Sequence, residues 1–157
     1  MVRRMAHHKP RVFVDADVLF AGAAAPNEHG ASLTILRMAE ITLIDAMASP
    51  QVVEEAERNL ADKLPAALPA FRMIVSRCLR IVPAPQPSDL AACAGLADPK
   101  DAPILAAAVR ERCPWLVTFN GRHFQPGHPD ITGLTPGELI LRVRDLLAGS
   151  SDLGGNP

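Results

Sequence analysis

A chain of 157 residues is enough for one domain and short of two, and folding at that length buries roughly 70% of the surface the unfolded chain exposes, so neither a disulfide framework nor a structural metal is required. Hydrophobic residues make up 48% and charged residues 21%, an ordinary globular balance that excludes a disordered chain. A formal net charge of -1 excludes a basic nucleic-acid binder acting through its overall field, while leaving room for a local basic patch.

Residues 1–10 form a basic extension with Arg3, Arg4 and Lys9. No apolar run of signal-peptide length follows, and no stretch approaches the ~20 apolar residues of a membrane span, so a cytoplasmic location without membrane attachment is expected. Val12, Phe13 and Val14 read as a strand buried on both faces. Asp15 and Asp17 stand at its carboxyl end, and Val18 to Gly22 opens a helix. A loop is expected over 26–30, a helix over 31–40 and a second strand over 41–47. Ser49 followed by Pro50 is a helix start, with Ser as cap and Pro in the first helical position. That helix carries Glu54, Glu55 and Glu57 and stops near Pro65. Another helix is expected over 66–77, with Pro69 in its first turn.

A third strand is expected over 79–82, a stiff proline connector over 83–87 and a short helix over 90–96. Asp98, Pro99, Lys100 and Asp101 precede a clear helix. Pro103 fits the first turn only if Asp101 is the cap, which leaves Asp98 on the approach turn. Residues 115–119 give a fourth strand and 131–134 a fifth. Thr135, Pro136 and Glu138 open the last helix, Gly149 ends it, and 149–157 is expected to be a disordered tail. Strands alternate with helices throughout. The fold class is therefore α/β: a three-layer α/β/α sandwich around a mostly parallel sheet of four or five strands.

In such sheets the site forms at the carboxyl ends of the strands, where this sequence gathers oxygen ligands. Asp15 ends the first strand, and Thr118 and Asn120 end the fourth. Asp98 and Asp101 introduce one helix. Of the three glutamates on the other, Glu55 lies nearest the side shared by Val52 and Ala56, while Glu54 leans outward and is the alternate. Oxygen-only clusters of this kind suit hard cations such as Mg²⁺. The five histidines are scattered and form no rival cluster. The three cysteines, Cys78, Cys93 and Cys113, lack metal spacing and are expected as reduced, buried thiols. Thirteen of the sixteen basic residues are Arg, which suits phosphate, but there is no Tyr to support extensive base stacking.

The stretch through Val14 and Asp15, the run from Ser49 through Glu55 to Leu60, the run from Asp98 through Asp101 to Ala108, and Leu116 to Phe124 around Thr118 and Asn120 together resemble the PIN domain, which includes VapC-type toxin ribonucleases. The resemblance extends over about 11–147 and makes 11–148 one PIN-like nuclease domain. It implies that Asp15 and Asp101 are the first and third metal-binding acids, that Glu55 is the helix-borne acid and that Asp98 is the extra acid before the third. The catalytic set is thus Asp15, Glu55 and Asp101, the metal set Asp15, Asp98 and Asp101, with Asp17, Thr118, Asn120 and Glu54 in support. Asn120 departs from the pattern, since the family often places an acid there; Asp17 offers a compensating charge. Lys100, Arg122 and His123 are candidates for substrate phosphate. The implied chemistry is Mg²⁺- or Mn²⁺-dependent hydrolysis of phosphodiester bonds in single-stranded RNA, with a protein antitoxin and a homodimer as partners. Two alternatives stay open. One is a non-catalytic RNA-binding PIN fold. The other is a haloacid dehalogenase-like phosphatase, whose opening Asp15-Ala16-Asp17 resembles, although the later motifs come in the wrong order.

Overall fold

The structure, a computed structural model, describes residues 9–24 and 30–152, the last three by their backbone alone. Most of the basic extension, 26–29 of the expected loop and 153–157 of the expected tail lie outside the described residues.

The chain runs β1 (Arg11–Val14), α1 (Ala16–Ala24), α2 (Ala31–Glu40), β2 (Asp45–Ala48), α3 (Pro50–Lys63), α4 (Leu68–Cys78), β3 (Arg80–Ile81), α5 (Pro87–Ala92), α6 (Ala102–Arg110), β4 (Trp115–Val117), β5 (Thr132–Leu134) and α7 (Pro136–Asp152). Short 3-10 turns cover Pro65–Ala67 and Gly121–Phe124. The sheet has five strands in the order β3-β2-β1-β4-β5, and every pairing is parallel. Moving from β1 through β2 to β3 and then back across to β4 reverses direction at β1. With right-handed crossovers, this puts the helices between β1 and β3 on one face, and α5 and α6 on the other. The packing agrees: α1 touches α2, α3 and α4, α7 returns to α2, and α5 pairs with α6. The result is the α/β/α sandwich that the alternating pattern implies.

β1 is the centre of this arrangement. Val12, Phe13 and Val14 are fully buried, as a strand covered by helices on both faces must be. Each such side chain contributes about 1.5–3 kcal/mol relative to exposure. Gly22 lets α1 and α2 approach, since a Cβ there would run into the buried side chain of Leu36. All three cysteines are unpaired; Cys93 and Cys113 are buried and Cys78 is partly so.

Several boundaries differ from the sequence reading, each for a local reason. Strand β2 begins at Asp45, not at residue 41, because α2 finishes in a left-handed turn. The Thr42 N–H donates to Ala39 O (3.0 Å), the Leu43 N–H donates to Met38 O (2.9 Å), and Thr42 has φ 67°. Ile41, read as a strand residue, is left 66% exposed on that turn. A β-branched residue is strained at such a φ, so Thr42→Gly is expected to stabilise the protein by about 1 kcal/mol. A denaturation midpoint that falls with an unchanged m value would refute the strain at Thr42.

The helix expected over 90–96 begins instead at Pro87, which takes the first helical position, while the Gln86 N–H donates to Asp89 Oδ2 (2.8 Å). Strand β4 stops at Val117 and not at residue 119, because side-chain acceptors capture the next backbone donors, as described below. The last helix runs past Gly149 to Asp152, so 149–152 is helical where a tail was expected. Its start does follow the reading: the Thr135 N–H donates to Glu138 Oε1 (3.0 Å) and the Glu138 N–H donates to Thr135 Oγ1 (3.3 Å). No helix among the described residues is long and apolar enough to cross a membrane.

Candidate active site

The switch in strand order falls between β1 and β4, and parallel sheets open a crevice at that point beyond the strand ends. Asp15 follows β1 directly and is only 7% exposed. Its N–H donates to Val117 O (3.0 Å), tying the two strand ends together. Its carboxylate is held on both oxygens. Oδ1 accepts from the Ala16 N–H (2.8 Å), and Oδ2 accepts from the Thr118 hydroxyl (2.8 Å). Burial pushes the Asp15 carboxyl up to about 6; the Asp17 charge and, more weakly, the Asp101 charge add to that, against the lowering effect of the Thr118 and Ala16 hydrogen bonds.

Asp17, one residue into α1, reaches across to the loop after β4. Its Oδ2 accepts from the Phe119 N–H (3.1 Å) and from Asn120 Nδ2 (3.0 Å), while the Asn120 N–H donates to Thr118 Oγ1 (3.0 Å). These bonds take the donors that would have continued the ladder, and β4 ends. Asp17 Oδ1 is buried and has no hydrogen-bond partner, the one such side-chain atom among the described residues. Burial raises the Asp17 carboxyl, and the Glu55 charge adds to it, although the nearby N–H groups of Phe119 and Val18 and the Thr118 hydroxyl hold it back.

Asp101 occupies the cap position of α6 with Pro103 in the first turn, as the sequence implies, but its carboxylate makes no capping hydrogen bond. The approach turn is held by backbone: Asp98 O accepts from the N–H groups of Asp101 and Ala102, both at 2.8 Å. The buried Asp101 side chain is therefore free to face His123, whose Nδ1 lies 3.3 Å from Oδ2. Burial raises the Asp101 carboxyl; Glu55 and Asp98 push the same way, and His123 and Lys100 oppose them. Asp98, Asp101 and His123 bring one potential ligand atom each to within 4.8 Å of one another.

Glu55 completes the ring of charges from α3. It is partly buried whereas Glu54 is exposed, in keeping with the helical register. Lys100 Nζ stands 3.7 Å from Glu55 Oε1, and Gln51 Nε2 donates to Lys100 O (3.3 Å), so α3 is pinned to the loop before α6. Lys100, a candidate for substrate phosphate, thus faces Glu55, and His123, another, faces Asp101. Arg122 is exposed and makes no ion pair among the described residues. Asn59 and Lys63 also line the cleft beside Asp17, Glu55 and Asn120, and sequence reasoning passed over both. The signal was there: Glu55, Asn59 and Lys63 recur every four residues along one helix face.

These residues fit a hard divalent cation. Carboxylates crowded at low exposure repel and resist ionisation, a cost that a cation removes. Asp17 Oδ1 is an unused buried acceptor, and the carboxylates offer oxygen ligands, with the His123 nitrogen beside Asp98 and Asp101.

The PIN domain family model matches residues 11–122, a stretch that holds Asp15, Asp17, Glu55, Asp98, Asp101, Thr118 and Asn120. Among solved structures, VapBC2 from Rickettsia felis, bound to a DNA fragment from its promoter, is similar at a TM-score of 0.58 and 16% identity, covering 80% of this chain and 98% of that one. VapC20 of Mycobacterium tuberculosis, a toxin that cleaves the sarcin–ricin loop, is similar at a TM-score of 0.56 and 18% identity, covering 76% of this chain and 97% of that one. At these identities the likeness is one of fold. No curated protein matches the chain.

Proposed function

This chain belongs to the PIN domain family, and from that premise we propose that it is a Mg²⁺- or Mn²⁺-dependent endoribonuclease of single-stranded RNA. The observation that carries this reading is the set of acids at the strand switch: Asp15 and Asp101 are buried, the charges of Asp17 and Asp101 both act on Asp15, and Asp17 Oδ1 is buried without a partner. A haloacid dehalogenase-like phosphatase is set aside by the family match and by the wrong order of its later motifs.

Asp15, Asp98 and Asp101 would hold the ion, with Asp17 in support. When bound, a divalent ion lowers the pKa of a water ligand and neutralises charge building on the phosphate. Thr118 fixes the rotamer of Asp15 through its hydroxyl, and Asn120 fixes that of Asp17 through its amide. Asn120 thereby serves the site without a charge of its own, and Asp17 supplies the acid that its position lacks. Glu55, which lines the same cleft as Asp17 and Asn120, would accept a proton from the attacking water and orient its lone pair toward phosphorus. Lys100 keeps Glu55 oriented toward the loop that carries Asp101. Arg122, exposed at the rim, is left for the phosphate backbone.

The solved neighbours VapBC2 and VapC20 support a role in a toxin–antitoxin pair; the same reading takes a homodimer as the resting assembly and the cytoplasm as its location. A surface suited to an antitoxin is the open groove of 330 Å³ between α1, α2 and α4, lined by Leu33, Leu36, Met73 and Ile74. The direct test is incubation of purified protein with a defined single-stranded RNA. Cleavage is expected with Mn²⁺ and none with EDTA. Intact RNA at millimolar Mn²⁺ would overturn the nuclease reading.

A further inference from the structure

The cleft beside the acids continues along α3. Glu55, Asn59 and Lys63 line it in a row, together with Asp17, Asn120 and Phe20, around an open volume of 230 Å³. At 1.5 Å per residue Lys63 stands about 12 Å along the helix axis from Glu55. Its ammonium lies 5.9 Å from the centroid of the half-buried Phe20 ring, a cation–π contact that holds a flexible side chain at the cleft. Lys63 is exposed and has no carboxylate partner among the described residues, and it is the single basic side chain lining this cleft. The Asn59 amide makes no hydrogen bond among the described residues, although it faces the same space.

Resting on the nuclease reading, we propose that this cleft is the subsite for the nucleotide flanking the scissile phosphate. Lys63, placed by Phe20, binds the next phosphate of the strand as a point charge. Asn59 lies between that phosphate and the reacting one, where the ribose passes. Its amide offers both a donor and an acceptor, and the 2′-hydroxyl needs both. Asn59 therefore distinguishes RNA from DNA, and Lys63 sets affinity without touching the reacting atoms.

The test compares a single-stranded RNA of about twenty nucleotides, its all-deoxy counterpart and a dinucleotide, all with Mn²⁺. Lys63→Ala is expected to raise KM on the long RNA about tenfold at unchanged kcat, to lower the salt slope by about 0.7 and to leave the dinucleotide unaffected. Lys63→Arg retains most of the affinity. Asn59→Ala reduces the preference for RNA over DNA. An unchanged KM for Lys63→Ala on the long RNA, or an equal rise on the dinucleotide, overturns this subsite and leaves the nuclease standing. Parent protein that leaves every substrate intact overturns the nuclease reading and the subsite with it.

Discussion

Asp101→Asn is expected to lower metal-dependent cleavage by about 10³-fold or more while leaving the metal-free protein at least as stable as the parent. The two effects share one cause. Asp101 is buried at 8% exposure, among Glu55, Asp98 and the other acids, and its charged form is disfavoured in the fold. The amide keeps the shape and removes the charge. Nothing is lost at the helix start, because the Asp101 carboxylate makes no capping bond. The contact with His123 is lost, but the His123 side chain is 50% exposed, where such contacts are worth little. What disappears, on the proposed function, is a metal ligand. Initial rates with Mn²⁺ and calorimetry in EDTA measure the two halves separately. A variant that keeps more than a tenth of the parent rate removes Asp101 from the catalytic set. A variant that melts several degrees lower would show that its carboxylate serves the fold.

The contrast between what the sequence displays and what it hides follows from the range of the interactions. β1 is legible because burial on both faces demands a continuous apolar run. Pro103 identifies Asp101 as the cap because a proline ring clashes anywhere deeper in the helix. Glu55 stands out from Glu54 because a 100° rotation per residue separates an inward flank from an outward one. The linkage of Asp17 to the β4 loop is different. Its carboxylate meets Phe119 and Asn120 across more than a hundred residues of chain, so no local pattern announces it. Asn120 looks like a defect in the motif until the structure shows its amide holding Asp17. His123 and Lys100 read as exposed cations for a ligand, yet each faces an acid of the site. The early end of β4 belongs with these, since side chains from α1 supply the competing acceptors. Ile41 and Leu43 misled for a local reason: they are apolar, but they follow a helix that stops on a left-handed Thr.

The same crowding of acids makes stability depend on pH in an unusual direction. Asp15 ionises near 6 in the fold and at 3.8 when unexposed to these neighbours, so between those values the folded state holds a proton that the unfolded state has released. Stability is therefore greatest below the lower value and is lost as pH rises through the upper one. The full loss is about 3 kcal/mol for Asp15 alone, and the raised carboxyls of Asp17 and Asp101 act in the same sense. Taking metal-free protein from pH 7.5 to pH 5 recovers about 1.4 kcal/mol through Asp15, or roughly 3–6 °C in Tm. On the proposed metal site, Mn²⁺ must cancel this trend. At pH 7.5 Asp15 is ionised and the ion stabilises by about 2.7 kcal/mol at a hundred times its Kd. At pH 5 the ion must first displace the proton from Asp15, which weakens its apparent affinity about tenfold. Metal-free protein should thus melt higher at pH 5 than at pH 7.5, and the gain from Mn²⁺ should shrink over the same interval. Calorimetry in EDTA and in Mn²⁺ at both pH values measures it. A metal-free Tm that falls on acidification, or a Mn²⁺ gain equal at both values, would mean that Asp15 is neither destabilised by its neighbours nor relieved by the ion.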